Sequence, residues 1–261
     1  MLRLNPDYGY FLGCVIKESS ITFSTMDFSG HLTYERKCQP PDEALGVIAA
    51  LIKDTPPLSC SAIYRKNKPS AKATAFIEKL EGLPIPHPFR ANNVETLARV
   101  YHFYHESEAN FVLVKYGPGV GSSIYVNGAP ILRKNGTQSE IGHTLLPNGK
   151  TLEAEIAFSS LLYEGIEEKE GAELICKDKA MLEKAEECLA SALVNSDALL
   201  AFDRIIFAGI LLSKHSVIEE IKEKIKANDS DFDLSKIAEY PHYDELNSKI
   251  ACLLAFLNRY E

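Results

Sequence analysis

The stretch from Phe111 to His143, FVLVKYGPGVGSSIYVNGAPILRKNGTQSEIGH, constrains this chain more than any other. Its opening apolar run, Phe111 to Val114, has the length and β-branched content of a buried strand. A glycine turn, Gly117-Pro-Gly-Val-Gly121, follows. A second, alternating strand from Ser122 to Val126 then closes on the turn signal Asn127-Gly128. Glycines let backbone N–H groups approach an anion, so Gly117, Gly119 and Gly121 form a candidate loop for a phosphate or a sugar oxygen. On the turn alone a plain hairpin is the preferred account, because an isolated Gly-rich loop is a weak motif.

The end of the stretch adds chemistry. Asn135-Gly136 is followed by Ser139-Glu140-Ile141-Gly142-His143, which sets a carboxylate and an imidazole three residues apart beside a glycine. In order, Gly-x-Gly-Val-Gly, a hairpin ending in Asn-Gly, a second Asn-Gly and Glu-Ile-Gly-His resemble the ROK family (repressors, open reading frames and sugar kinases). The chain looks like a degenerate member of the N-acetylglucosamine- and xylose-repressor type. The resemblance is most specific over residues 111–153. It is weaker but collinear from Leu4 to about Val100, near Arg204–Leu212 and in the C-terminal helix. It implies an α/β, actin/hexokinase-like (ribonuclease H-like) fold of two lobes with a sugar in the cleft between them. The lobes would be residues 1–110, with helix 244–259 packing back on them, and residues 111–243.

A chain of 261 residues can bury a large core as one large domain or two lobes. Its 46% hydrophobic and 25% charged residues are ordinary for a soluble globular protein. The net charge of −8 argues against a broad nucleic-acid surface, which needs clustered Lys and Arg. No apolar run is long enough to cross a bilayer and no secretion signal is read, so a cytoplasmic protein without membrane contact is expected. Cys14, Cys38, Cys60, Cys176, Cys188 and Cys252 are scattered with no C-x-x-C pair, as expected of buried thiols rather than a zinc or redox motif. No internal repeat is evident.

In the first half, strands are expected at Tyr10–Ile16, Ser20–Met26 and Leu32–Lys37, followed by a helix from Asp42 to Lys53 with Asp42 as N-cap. In ROK kinases the first hairpin carries an Asp-x-Gly-Gly-Thr type sequence whose acid assists the metal and whose glycines admit the nucleotide's phosphates. The matching segment here is Gly13-Cys-Val-Ile-Lys-Glu-Ser-Ser20, with Val15 at the Asp position and Lys17 at the first loop glycine. Neither suits ATP binding in the kinase manner. The family's Pro-Gly sugar loop is not found between Ser59 and Lys79, and Arg65-Lys66-Asn67-Lys68 reads as a solvated turn. Leu83-Pro84-Ile85-Pro86 resembles the family strand that leads to its Glu-Asn-Asp-Ala-Asn type segment. That segment reads Ala91-Asn92-Asn93-Val94-Glu95 here. Asn93 stands where the kinases keep the general-base aspartate, and an amide has no useful basicity. Asn92 matches the sugar-binding Asn. Both can equally cap a helix over Val94–Tyr104. His102 and His105 are read as surface or core residues.

In the family, the histidine of Glu-x-Gly-His binds zinc with three cysteines of the following loop, while that glutamate and the glutamate ending the loop contact the sugar. By resemblance Glu140, His143 and Glu153 take these positions. Between His143 and Gly149 there are only Thr-Leu-Leu-Pro-Asn, so zinc is predicted absent. His143 then either contacts sugar or simply packs. Helices are expected at Glu155–Glu164, Ala180–Leu200, Val217–Lys226 and Asp244–Arg259, and strands at Arg204–Gly209 and Ile237–Tyr240. Arg204–Gly209 resembles the strand whose Gly-Gly pair lies against adenosine, but Ile210 replaces the second glycine.

Three functions follow. The preferred one is a catalytically inactive sensor or transcriptional-regulator effector domain that binds a sugar or sugar phosphate without a cofactor. The second is a ligand-free structural or partner-binding remnant. The third is an ATP-dependent sugar kinase of glucokinase or N-acetylhexosamine kinase type, needing Mg-ATP and a replacement base such as Glu95. A homodimer is implied by the resemblance. Family repressors carry a helix-turn-helix before a segment like Leu2–Leu12, and none is read here, so direct DNA binding by this chain is not expected.

Overall fold

The computed structural model describes residues 5–17, 20–39, 41–53, 56–64, 70–86, 88–134, 136–241 and 248–260. The chain divides into two compact units, Met1–Val100 with Leu246–Glu261, and Tyr101–Glu245. Each is an α/β unit built on its own five-stranded mixed sheet, in agreement with the expected fold class.

In the first unit, β1 (Tyr10–Ile16), β2 (Ile21–Asp27) and β3 (Leu32–Cys38) form an antiparallel meander, followed by α1 (Pro41–Ile52). β4 (Ser59–Tyr64) returns parallel to β1, α2 (Ala71–Glu81) crosses over, and β5 (Pro88–Asn92) runs parallel to β4. The sheet order is β3-β2-β1-β4-β5. Alternation along β1 feeds two cores. Leu12, Cys14 and Ile16 join Ile48, Phe76 and Ile77 from α1 and α2. Phe11 and Val15 join residues of the C-terminal helix, Ser248–Tyr260. That helix lies so close that a Cβ on Gly13 would come within 2.5 Å of the Cys252 nitrogen. Ser24 and Ser61 donate their hydroxyls to its carbonyls at Ser248 and Ala251, at 3.0 and 2.6 Å.

Two expectations shift here. The strand expected at Leu83–Pro86 begins only at Pro88. Pro84 and Pro86 offer no amide to a ladder, and Ile85 instead turns its side chain into the core with Phe76 and Leu80. The helix expected from Asp42 begins at Pro41, a residue suited to a first helical position. Arg65–Lys68 and the expected helix start at 244–247 lie outside the described residues.

The chain passes into the second unit along α3 (Asn93–Tyr104). β6 (Phe111–Tyr116), β7 (Val120–Val126) and the short β8 (Ala129–Pro130) again form an antiparallel meander. Asn127 and Gly128 adopt φ of 52° and 75°, the left-handed pair that an Asn-Gly hairpin turn requires. After α4 (Leu152–Ile156), α5 (Phe158–Leu161), α6 (Glu168–Lys177) and α7 (Lys179–Leu200), β9 (Arg204–Ala208) runs parallel to β6. Then α8 (His215–Asn228) leads to β10 (Ile237–Glu239), parallel to β9. The order β8-β7-β6-β9-β10 repeats that of the first unit strand for strand. Val112, Val114, Leu189, Leu193, Ile205 and Ile221 belong to one core.

The single helix expected over Glu155–Glu164 is two short ones. They part at Ala157, whose ψ of 145° is extended. The break has a cause in the glycine turn: Phe158 N–H donates to the Gly117 carbonyl at 3.0 Å and Ser159 N–H to that of Pro118 at 3.3 Å. A continuous helix would have spent those amides on itself.

Candidate functional site

The site residues expected in the second unit gather on one residue that the sequence did not single out, Val120. Its N–H donates to Glu153 Oε2 at 2.9 Å, and Glu153 stands in the first turn of α4. Its carbonyl lies against Gly142 so closely that a Cβ there would sit 1.9 Å from the oxygen. Two residues on, Ser122 Oγ accepts the Ile141 N–H at 2.7 Å. Ile141–His143 form a short 3-10 turn, with Glu140 in extended backbone just before it and His143 at its end. Gly117, Gly119, Glu140, His143 and Glu153 are thus fixed to one end of the β6–β7 hairpin. Glu140 and Glu153 are half-buried, while His143 is exposed.

The turn itself is tightly closed. Gly117 N–H donates to the Gly119 carbonyl at 3.0 Å, residue 118 is a proline, and Val120 N–H is held by Glu153. Gly121 belongs to β7 and pairs with Lys115. A Cβ on Gly119 would lie 2.9 Å from Glu153 Oε2, so a side chain there would push the carboxylate end aside. With an acid already at the turn and two of its amides bonded inside the protein, the turn is poor at cradling a phosphate. Carboxylates and amides of this kind suit neutral hydroxyls better.

Beneath the turn lies a second cluster. Lys115 Nζ meets Glu168 Oε2 at 2.6 Å, with both side chains under 10% exposed. Glu168 Oε1 accepts the Ile210 N–H at 3.0 Å. Gly209 takes a φ of +118°, and a Cβ there would come within 2.3 Å of the Tyr116 carbonyl. The one glycine kept from the family's pair therefore serves close strand packing. Tyr116 is fully buried, its hydroxyl donates to the Ile156 carbonyl at 2.8 Å, and burial pushes its pKa well up. Lys115 and Glu168 are barely signalled in the sequence. A lysine ending an apolar strand was the one hint, and Glu168 is hidden in a run of charges.

The segment that replaces the zinc loop is a tight turn: Leu145 bridges Thr151, and Gly149 N–H donates to the Leu146 carbonyl with φ of +81°. His143 has no cysteine in this turn, and no group of three or more His, Cys, Asp or Glu is placed to hold a metal among the described residues. The donor set does not fit zinc.

In the first unit, Asn92 and Asn93 stand where β5 becomes α3. Asn92 Oδ1 accepts the Glu95 N–H at 2.8 Å, and its carbonyl accepts the Thr96 hydroxyl at 2.7 Å, so Asn92 caps the helix. Asn93 is buried. Glu95 is half-buried, and burial raises its carboxyl pKa against the lowering effect of Arg99. Val15, at the position of the family's metal-assisting acid, is packed with Ile63, Ala91, Ala251 and Leu254. Lys17 N–H closes the β1–β2 turn on the Ser20 carbonyl at 2.9 Å. A hydrocarbon in a core cannot assist Mg²⁺, so the residues present do not fit a kinase-type metal–phosphate site.

Among the described residues no helix is long and apolar enough to cross a membrane. No curated protein matches the sequence. A ROK family protein from Streptococcus pneumoniae TIGR4, solved in complex with sucrose, is similar in structure with a TM-score of 0.75 at 13% identity, covering 95% of this chain and 98% of that one. The ROK hexokinase from Thermus thermophilus gives a TM-score of 0.72 at 15% identity, covering 95% and 98%. A ROK family transcriptional regulator, a homolog of the E. coli MLC protein, gives 0.66 at 15% identity, covering 96% of this chain and 78% of that one. The fold is the actin-like ATPase fold of the ROK hexokinases and glucokinases. The family model "ROK family" matches residues 59–232, and on that match the chain belongs to the ROK family.

Proposed function

We propose that this chain is a sugar-binding sensor of the ROK family that does not transfer phosphate. The observation that carries this is the assembly on Val120, which fixes Glu153 and the Glu140–His143 turn to one hairpin end. Glu140, His143 and Glu153, with Asn92, which caps α3, and Asn93 beside it, are the residues proposed to contact the sugar. Carboxylates and amides recognise hydroxyls by accepting and donating hydrogen bonds. Solved neighbours hold sucrose in one case and glucose in another. Phosphoryl transfer is left without its parts: Asn93 has no basicity, Val15 is core, and the glycine turn's amides serve Glu153 and Gly119. ATP, Mg²⁺ and zinc are accordingly not its cofactors.

A thermal-shift and calorimetric screen with glucose, N-acetylglucosamine, mannose, xylose and their phosphates, with and without Mg-ATP, tests this. The expected result is binding of one sugar, unchanged by Mg-ATP and lost in Glu140→Gln. Sugar-dependent ADP release would replace the sensor by a kinase, for which the raised pKa of Glu95 supplies a candidate base. No response to any sugar would leave a partner-binding protein. The same proposal carries a cytoplasmic homodimer that does not itself contact DNA, which light scattering and a DNA mobility shift check.

A further inference from the structure

We propose that a recess in the first unit, beside the turn from β2 to β3, binds a small organic ammonium with an apolar body. The recess has a volume of about 370 Å³, within the range of small-molecule sites. It exists because the helical cover of the sheet runs out. Leu12, Cys14 and Ile16 of β1 and Ile21 and Phe23 of β2 pack in one core with residues of α1 and α2. Tyr10 continues that face of β1 and Asp27 that face of β2, and the two are partners in register. α1 ends at Ile52, and Leu51 in its last turn is a wall of the recess. Tyr10 and Tyr34, both half-buried, complete its apolar lining.

The polar groups of the recess accept more than they donate. Asp7 and Asp27 line it, and no Lys, Arg or His among the described residues does. Asp27 Oδ1 accepts the N–H groups of Ser29 and His31 at 2.9 and 3.0 Å and the Ser29 hydroxyl at 2.7 Å. Burial alone would raise the Asp27 pKa, but these bonds outweigh it and hold the carboxyl below its ordinary value. Among the described residues Oδ2 faces only His31 Nδ1, at 3.8 Å, too far for a hydrogen bond. That nitrogen is already bonded to Ser29 Oγ at 2.8 Å. The Asp27 side chain is 15% exposed, so an ionised oxygen with spare acceptor capacity is held where little water reaches it. The hydroxyls of Thr25 and Thr33 bond to each other at 2.7 Å and do not answer it. Asp7 is exposed and adds negative charge at the rim.

An ammonium N–H donates to such an oxygen in a charge-assisted bond, while the tyrosine rings and Leu51 receive an apolar body. A sugar suits the recess less well, because its hydroxyls call for donors too and no side-chain amide lines the recess. The β1–β2 turn, where the resemblance would place nucleotide phosphates, is at the far end of Tyr10–Ile16, about 20 Å along the strand. The recess is therefore a separate site.

The experiment is a two-dimensional NMR titration of the full chain with phenethylamine at pH 7 and constant ionic strength, beside its neutral counterpart, phenethyl alcohol. Phenethylamine is expected to shift the amide resonances of Thr25, Asp27 and Thr33 with a Kd on the order of 1 mM or tighter. The alcohol should bind at least about tenfold more weakly. Asp27→Asn keeps an oxygen for the three donors of the turn but removes the charge, and should weaken phenethylamine binding about tenfold. Asp7→Asn changes an exposed position and should weaken it up to about fivefold. Equal affinity for amine and alcohol, unchanged affinity in Asp27→Asn, shifts that map elsewhere in the chain, or no saturable shift would each overturn the proposal. If Asp27→Asn does not fold, Asp7→Asn and the alcohol decide by the same criteria. Neither probe is a sugar, so the outcome is independent of the sugar-binding proposal.

Discussion

Replacing Gly142 by alanine should unseat the turn that carries Glu140 and His143. The new Cβ would stand 1.9 Å from the Val120 carbonyl oxygen and 3.0 Å from its carbon, both backbone atoms of a sheet strand. Restoring an ordinary contact of about 3.4 Å moves the 3-10 turn outward by roughly 1.5 Å, since Val120 is paired with Tyr116 of β6 and its N–H is held by Glu153. That movement breaks the Ile141 N–H to Ser122 Oγ bond of 2.7 Å, which contributes about 1 kcal/mol. It also draws Ile141, now 2% exposed, partly out of the core, forfeiting a share of the 1.5–3 kcal/mol that burying such a side chain is worth. The expected loss is about 2–4 kcal/mol, read as a lower urea midpoint at unchanged slope. Ser122→Ala should cost only about 1 kcal/mol, the hydrogen bond alone. Because Gly142→Ala already breaks that bond, the double variant should cost little more than Gly142→Ala. Any sugar affinity that depends on Glu140 should fall with it. A Gly142→Ala protein within about 0.5 kcal/mol of wild type, or strict additivity with Ser122→Ala, would refute the close packing inferred for this turn.

Other perturbations test separate parts of the molecule. Glu186 on α7 has a buried oxygen without a hydrogen bond, and burial, helped by Glu220, Glu183 and Glu187 and opposed by Lys224, raises its pKa from 4.5 to about 7. A raised folded value means the native state holds its proton more tightly, so stability should fall as pH rises from about 4.5 through 7. Glu186→Gln should remove about 1–3 kcal/mol of that dependence, measured by denaturation at pH 5 and pH 8. Glu155 is the opposite case: Lys184, then Lys150, hold it near 2, so its contribution is present above pH 4.5 and lost as pH falls toward 2. Lys184→Met should lower stability at pH 7 and shrink the loss on acidification, seen in acid-unfolding curves. Gly13→Ala should cost more than about 3 kcal/mol by pushing the C-terminal helix off β1, against about 1 kcal/mol for Ser61→Ala.

The strands and the long helix were legible because their signals are local. Alternation along β1 and β2, the apolar run of β6, the Asn127-Gly128 turn and the face of α7 each sit within one stretch of sequence. Glu140, His143 and Glu153 were singled out by resemblance, and the structure adds only how Val120 and Gly142 hold them. What stayed hidden depends on contacts across the chain. Nothing near Ala157 says that a helix should break there, since the cause is a pair of carbonyls at Gly117 and Pro118. Nothing near Lys115 names Glu168, which lies 53 residues on. The duplicated strand order of the two units left no readable sequence repeat, because a sheet order can be kept by many apolar sequences of the right period.

The C-terminal helix has a consequence for how the protein is made. β1 leaves the ribosome long before residues 248–260, yet Phe11, Val15 and Gly13 pack against the helix that those residues form. The second unit draws its core from one continuous run of chain and can close during synthesis, whereas the first must wait with one sheet face bare until the helix emerges. For that interval the nascent first unit is an apolar sheet in search of a cover. A helix lost to a premature stop would leave it so permanently, a form for chaperones and proteases to remove.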